Sequence, residues 1–369
     1  MVDGNPFQYQ RPLAPGRLID RRAELDALQR AAADRVAVRL ASPRRFGKTS
    51  LLGAHLASMR DAGHHACLID FDRVATVADV TDRIVDGLRG LPGIGAGVLE
   101  GRLARLGLTI GPTGVALQVA PRSPRPVLGP DEARAAIRDL LALPAELAEG
   151  GDLVVVAMDE FQDLMTADDH LDGLLRSVIQ HQGDRVTYLF AGSAPSLMRT
   201  LFSDRQRPFF GQARPLDLPP LPADETTREV LALLPAGTDA SLAGRIVAGG
   251  AGHPQRTMLL AHHLWDVLDR GTADGDPAAV ALDRAVEETA DVHQAVWATL
   301  SRNERAVLAA LADGRSPTST DVAAEHGTAR STLQSVTERL VNDGQQVVRG
   351  ADGRPRLLDP LLGEWLRRR

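Results

Sequence analysis

The stretch that decides the fold is "RVAVRLASPRRFGKTSLL", Arg35 to Leu52. Its first half, "RVAVRLAS", alternates and is rich in β-branched residues, which predicts a strand. Its end runs through a tight loop into "KTSLLGAHLASMRDAG", a helical pattern. Strand, loop and helix in that order are the context a phosphate-binding loop requires, and the pattern sought is G-x-x-x-x-G-K-[ST]. Gly47, Lys48 and Thr49 fill its end, while Ser42 stands where the first Gly is expected. Lys48 is also the only lysine of the chain, since 41 of the 42 basic residues are Arg. A bias towards Arg explains ordinary surface positions, where either cation serves, but not the exception. A single Lys placed at random among 42 basic positions falls here about one time in 42, so its position supports the motif independently. A compact ammonium reaches β- and γ-phosphates in a space that a planar, forked guanidinium does not fit.

Ser42, Pro43, Arg44, Arg45, Phe46, Gly47, Lys48, Thr49 and Ser50 therefore form the expected nucleotide-binding segment. Backbone N–H groups of such a loop and of the helix N-terminus face the phosphates, and Gly47 lets the backbone approach closely. Thr49 is placed to put its hydroxyl on Mg²⁺, so ATP and Mg²⁺ are the expected cofactors. A phosphate loop calls for a second strand ending in an acid, and "DLVVVAMDEFQD" supplies it. Asp159 is expected to hold Mg²⁺ through water, and Glu160 to polarise the attacking water. The plain alternative for Glu160 is an exposed carboxylate at a strand end.

The next strand, "RVTYLFAGS", ends at Ser193, a candidate to sense the γ-phosphate or orient water. Gly252, His253, Pro254 and Arg256 open the helix "QRTMLLAHHLW". Arg256 is a candidate to reach the phosphates and couple lid closure to nucleotide state, and Pro254 to pack near adenine. A solvated Arg and an ordinary first-turn proline are the alternatives. Arg205, Arg207 and Arg214, in "SDRQRPFFGQARP", are three candidates for an arginine finger acting in trans, and nothing in the sequence chooses among them.

Composition bounds the class. The chain has 369 residues, 44% hydrophobic and 24% charged, as in a soluble globular protein of two to three domains. A net charge of −6 gives no global footprint for nucleic acid or membrane. One cysteine, Cys67, cannot form an internal disulfide and reads as a buried thiol in a reducing compartment. No signal segment opens the chain and no apolar run reaches about 18 residues, so a cytoplasmic location without a membrane span is expected.

Along the chain, "NPFQYQRPLAPGRLIDRR" reads as an extended leader, "AELDALQRAAA" as a helix and "HHACLIDFD" as a buried strand. "DDHLDGLLRSVIQHQG" is a helix with Leu171, Leu174, Leu175 and Val178 on one face. A Gly-rich insertion near residues 90–130 has no assigned structure. Strands alternating with helices imply a parallel sheet covered on both faces. After "PLDLPPLP" the pattern is purely helical through about Ala298.

The last unit begins at "LSRNERAVLAALADG", where Ser301 and Glu304 have capping-box spacing. "STDVAAEHG" and "TARSTLQSVTERL" follow as helices, the latter with Leu333, Val336 and Leu340 inward, and "QQVVRGADGRPRLLD" as a hairpin. Arg330, Ser331 and Gln334 would face outward, with Arg349, Arg354 and Arg356 on the wing, suited to phosphate and base-edge contacts. Residues 296–369 hold 11 Arg against 9 acids. That surplus is thin for duplex DNA, so a protein partner stays open beside it.

These motifs together resemble the archaeal-type AAA+ ATPases of the STAND and origin-recognition group. The resemblance runs through "NPFQYQRPL", "IDRRAEL", "SPRRFGKTSLL", "MDEFQD", "AGSAPSLMRTLF", "GAGHPQ" and "LLDPLLGEWLRR". It implies an α/β fold, an ASCE-type P-loop three-layer sandwich with a parallel sheet, a helical lid and a C-terminal winged helix. The corresponding spans are 1–222, 223–295 and 296–369. By the same resemblance Lys48 and Thr49 take the Walker A roles, Asp159 and Glu160 the Walker B roles and Ser193 the first-sensor role. Gln212 stands where relatives often carry Arg, which leaves no arginine finger at that position.

The function read from these residues is a Mg-ATP-binding and hydrolysing switch, in which nucleotide state controls the lid and winged helix. Two others stay open: an ATP-licensed DNA-binding initiator with negligible hydrolysis, and an oligomerising signalling or defence switch with a protein partner. The unique lysine gives a direct test. Lys48→Arg keeps the charge yet is expected to lose normal ATP binding or turnover, measured by titration calorimetry and phosphate release; wild-type behaviour would remove the phosphate assignment.

Overall fold

Val154–Asp159 and Val186–Gly192 are buried at every position, the pattern of strands covered on both faces. Their side chains alternate between two cores. Val154, Val156, Met158, Tyr188 and Phe190 enter one; Val155, Ala157, Leu189 and Ala191 enter the other. A computed structural model describes residues 4–111, 114–117, 128–148, 152–271, 275–350 and 352–369. It divides into two compact units.

One unit comprises Ala14–Ser42 and Lys48–Leu218. In chain order it contains α1 (Arg22–Ala33), β1 (Val38–Ala41), α2 (Lys48–Asp61), β2 (His65–Asp70), α3 (Val77–Arg89) and α4 (Ala96–Arg105). Next come β3 (Leu108–Gly111), β4 (Gly114–Leu117), α5 (Pro130–Leu147), β5 (Val154–Asp159), α6 (Leu164–Ala167) and α7 (Leu171–Ile179). It closes with β6 (Val186–Gly192), α8 (Pro195–Ser203) and β7 (Arg214–Asp217).

Five of these strands form a parallel sheet in the order β2-β5-β6-β1-β7. Leu28, Ala31 and Ala32 of α1 and Leu51, Leu52, Leu56 and Met59 of α2 cover one face. Apolar residues of α3, α5, α7 and α8 cover the other, completing the three layers. Strand β7 is not foreseen in the sequence, because Pro215 argues against a strand. The Arg214 N–H donates to Ala37 O at 2.8 Å, and successive N–H groups of a strand point to opposite sides. The donor that Pro215 lacks therefore falls on the open edge of the sheet.

Part of the Gly-rich insertion has structure: α4 and an antiparallel β3–β4 hairpin. The hairpin is tied to α3 by the Val115 N–H, which donates to Asp82 Oδ1 at 2.6 Å. Residues 112–113 and 118–127 of that insertion lie outside the described residues. Cys67 is fully buried, and burial pushes its thiol up to about 12, so it stays protonated at neutral pH.

The other unit comprises Met1–Leu13, Pro43–Gly47 and Pro219–Arg369. Four helices come first: α9 (Ala223–Leu233), α10 (Ala240–Gly250), α11 (Pro254–Arg270) and α12 (Pro277–Thr299). They are followed by α13 (Arg302–Ala312), α14 (Thr320–Glu325), α15 (Arg330–Asp343), β8 (Val347–Arg349), β9 (Pro355–Leu357) and α16 (Pro360–Arg367). The Ser301–Glu304 capping box forms at the start of α13. Leu333 and Leu340 are buried, with Val336 packed against the same core. The leader docks on α11 and α12: Asn5 Nδ2 donates to His262 O at 2.9 Å, Phe7 is buried, and Tyr9 donates to Glu288 at 2.8 Å. Among the described residues no helix is long and apolar enough to cross a membrane.

Phe161, just beyond β5, sits fully buried among Phe190, Phe202 and Phe209, with ring centroids 4.8 to 5.8 Å away. Phe161→Ala is expected to cost about 3–5 kcal/mol in urea unfolding. A cost below about 1 kcal/mol, the size of a conservative core trim, would show that this cluster does not hold the end of β5.

Candidate functional site

The strand order brings the carboxyl ends of three strands to one edge. β6 lies between β1 and β5, with Ala41 beside Gly192 and Met158 beside Phe190. Ligands of open α/β sheets bind outside the carboxyl ends of the strands, and the candidate residues Ser42, Asp159, Glu160 and Ser193 directly follow or end these three.

Lys48, the first residue of α2, is 5% exposed, and its Nζ donates to Ser42 O at 2.8 Å. The Ser42 hydroxyl is buried with no hydrogen-bond partner among the described residues, while Ser50 is buried on α2. Thr49 Oγ1 donates to Asp159 Oδ2 at 2.6 Å, so the two expected cation ligands meet. Burial pushes the Asp159 carboxyl above its ordinary range, against the Thr49 bond and the charge of Lys48. A hydroxyl and a carboxylate are hard oxygen donors of the kind Mg²⁺ takes, alongside phosphate oxygens and water. Among the described residues no group of three or more His, Cys, Asp or Glu side chains could hold a metal.

Glu160 adopts a left-handed backbone conformation, φ +48°, which is uncommon outside glycine and recurs at functional sites. Its Oε2 accepts from the Ser193 N–H at 3.1 Å, the Ser193 hydroxyl at 2.7 Å and Gln162 Nε2 at 2.7 Å. Burial works to raise its pKa. The bonds from Ser193 and Gln162 and the charge of Lys48 outweigh that, leaving the carboxyl below its usual value. Gln162 is a functional candidate that sequence reading missed, although "DEFQD" displays it two residues after Glu160.

Pro43–Gly47 group with the other unit. Arg45 and Gly47 have φ of +65° and +88°, and Gly47 meets that requirement without strain. Arg44 and Arg45 are exposed, and Phe46 packs edge-on against His253 at 4.9 Å. His253 caps α11, its Nδ1 accepting from the Arg256 N–H at 3.4 Å, with Pro254 as the first helical residue. That acceptor role needs a neutral ring, and burial lowers the His253 pKa to about 4.

Arg256 is 4% exposed and forms a two-pronged ion pair with Asp359, Nε donating to Oδ1 at 2.9 Å and Nη2 to Oδ2. His293 Nε2 lies 3.1 Å from the same Oδ2. Burial opposes ionisation of Asp359, but His293 and Arg256 hold its carboxyl well below the ordinary range. The sequence reading quoted "LLDPLLGEWLRR" only for the resemblance; it gave His293 and Asp359 no role and did not foresee α16, which Asp359 caps by accepting from the Leu361 N–H at 3.0 Å. Asp followed by Pro at a helix start is the signal that marks both.

Among the finger candidates, Arg207 pairs with Asp172 at 3.4 Å, whereas Arg205 and Arg214 are exposed. Gln212 accepts from Arg176 at 2.9 Å. On α15, Ser331 and Gln334 are exposed, and Arg330 donates to Thr318 O at 2.8 Å. Arg349 is held by both oxygens of Glu338, at 2.7 and 2.6 Å, while Arg354 and Arg356 are exposed.

No family model and no curated protein matches the sequence. Solved structures do match. A Walker-type ATPase of Pyrococcus abyssi gives a TM-score of 0.67 at 19% identity, covering 98% of this chain and 99% of that one. The ORC2 protein of Aeropyrum pernix, in ADPNP–ADP complexes, gives 0.58 at 17% identity over 98% and 96%. Its ADP form gives 0.54 at 17% over the same shares. The likeness is one of fold and spans nearly the whole chain: an α/β P-loop architecture with a parallel sheet, as the motifs imply.

The Arg256–Asp359 pair yields a pH test. Asp359 has a depressed folded pKa, so its stabilisation is complete above the unfolded value, about 3.9, and is lost as pH falls below it. Asp359→Asn is expected to cost about 3 kcal/mol at neutral pH, the low end for breaking a buried pair. In urea unfolding followed across pH, that difference should shrink below about pH 4. A pH-independent difference would contradict the ion pair.

Proposed function

We propose that the chain is a Mg²⁺-dependent ATPase whose nucleotide state sets the disposition of a helical lid, residues 223–295, and a winged helix, residues 296–369. The observation that carries this reading is the meeting of Thr49 and Asp159 at 2.6 Å beside a buried, unique Lys48. Lys48 and the backbone N–H groups of the loop take the β- and γ-phosphates. Thr49 and Asp159 would hold Mg²⁺, which when bound would neutralise charge on the phosphates. Glu160, ionised at neutral pH, orients and polarises water, and Ser193 reports on the γ-phosphate. Arg256 is the lid's phosphate contact once it leaves Asp359. The solved Aeropyrum structure with this fold holds ADPNP and ADP, which supports an adenine nucleotide.

For the winged helix we favour a protein partner, or a second copy of the chain, over duplex DNA. Arg349 is neutralised by Glu338 on α15 itself, and Arg330 is turned to a backbone carbonyl. Glu160→Gln is expected to retain ATP binding and to lower turnover by about 10²–10⁴-fold, read by calorimetry and phosphate release. Full turnover in that variant would sink the catalytic assignment.

A further inference from the structure

Gln162 does more than follow the strand-end acids. It is 4% exposed, and both hydrogens of its amide nitrogen are committed: Nε2 donates to Glu160 Oε2 at 2.7 Å and to Asp163 Oδ1 at 2.8 Å. Two carboxylates on one amide end settle which end is nitrogen, since the oxygen there would face two anions. Asp163 is fixed in turn, its Oδ2 accepting from the Arg73 N–H at 3.1 Å. Phe161, buried in the aromatic cluster, anchors the intervening residue.

The other side of the amide shows the same commitment. Gln162 Oε1 is buried and accepts no hydrogen bond among the described residues. It lies against Gly192, where a Cβ would come within 2.3 Å of it. The chain thus leaves out a side chain at the end of β6, where the amide oxygen sits, and the nitrogen stays on Glu160.

We propose that Gln162 is a positioning residue for hydrolysis: its amide fixes one oxygen of Glu160, leaving the other to accept a hydrogen bond from the attacking water. This rests on the ATPase reading. Ser193 donates to the same Oε2 twice, but its hydroxyl is the group assigned to the γ-phosphate. When that hydroxyl turns to a phosphate oxygen, Gln162 remains as the side-chain donor holding Glu160. Its effect therefore falls on turnover and not on ATP affinity.

Gln162→Met keeps the length and removes the donors, and Gln162→Asn keeps an amide too short to reach both carboxylates. Both variants are compared with wild type in ATP titration calorimetry and in steady-state phosphate release. The expected result is ATP affinity and KM within about twofold of wild type and kcat lowered about 10–100-fold. Wild-type kcat in both variants would overturn the inference, as would a loss of ATP affinity or a rise in KM as large as the fall in kcat. If wild type itself binds ATP but releases no phosphate, the ATPase reading fails and this inference with it. If wild type turns over and the variants match it, only this inference fails.

Discussion

The position of β6 between β1 and β5 is the constraint on which the chemistry of this protein depends. Parallel strands finish at one edge, and the β5–β6 register, with Met158 beside Phe190, brings the residue after β6 within reach of the residue after β5. Ser193 can then give both its N–H and its hydroxyl to Glu160. The same sheet holds Asp159 close to the first turn of α2, where Thr49 reaches it. Strands buried on both faces cannot slip by one residue without exchanging the two cores, so the register is strongly specified. Side chains as short as Ser and Thr suffice for the site because the sheet has already placed their backbones.

That arrangement explains what was legible in the sequence. β5 and β6 are continuous apolar runs bounded by polar residues, and such runs announce themselves. The strand, loop and helix around Lys48 were legible despite the missing first Gly because Lys48 departs from the chain's own habit. The capping box at Ser301 and Glu304 was legible because its chemistry is local. Strand β7 was not, since Pro215 is compatible with a strand only at an edge, and edges are a property of the assembled sheet. Gln162 was visible as a letter but not as a contact: its partners are Glu160, Asp163 and the empty space at Gly192. The Arg256–Asp359 pair spans about a hundred residues, and no pattern along the chain foretells it.

The helical unit has a polar centre of its own. Arg256 and His293 converge on Asp359, the cap of the last helix, and these groups are mostly buried. Such a cluster is weak support for stability as built, yet costly to break from one side.

The most direct test of the central claim is titration calorimetry of ATP into the wild-type chain, with and without Mg²⁺. The account expects saturable binding at one site per chain, tightened by Mg²⁺. An absence of saturable binding, or binding indifferent to Mg²⁺, would contradict it.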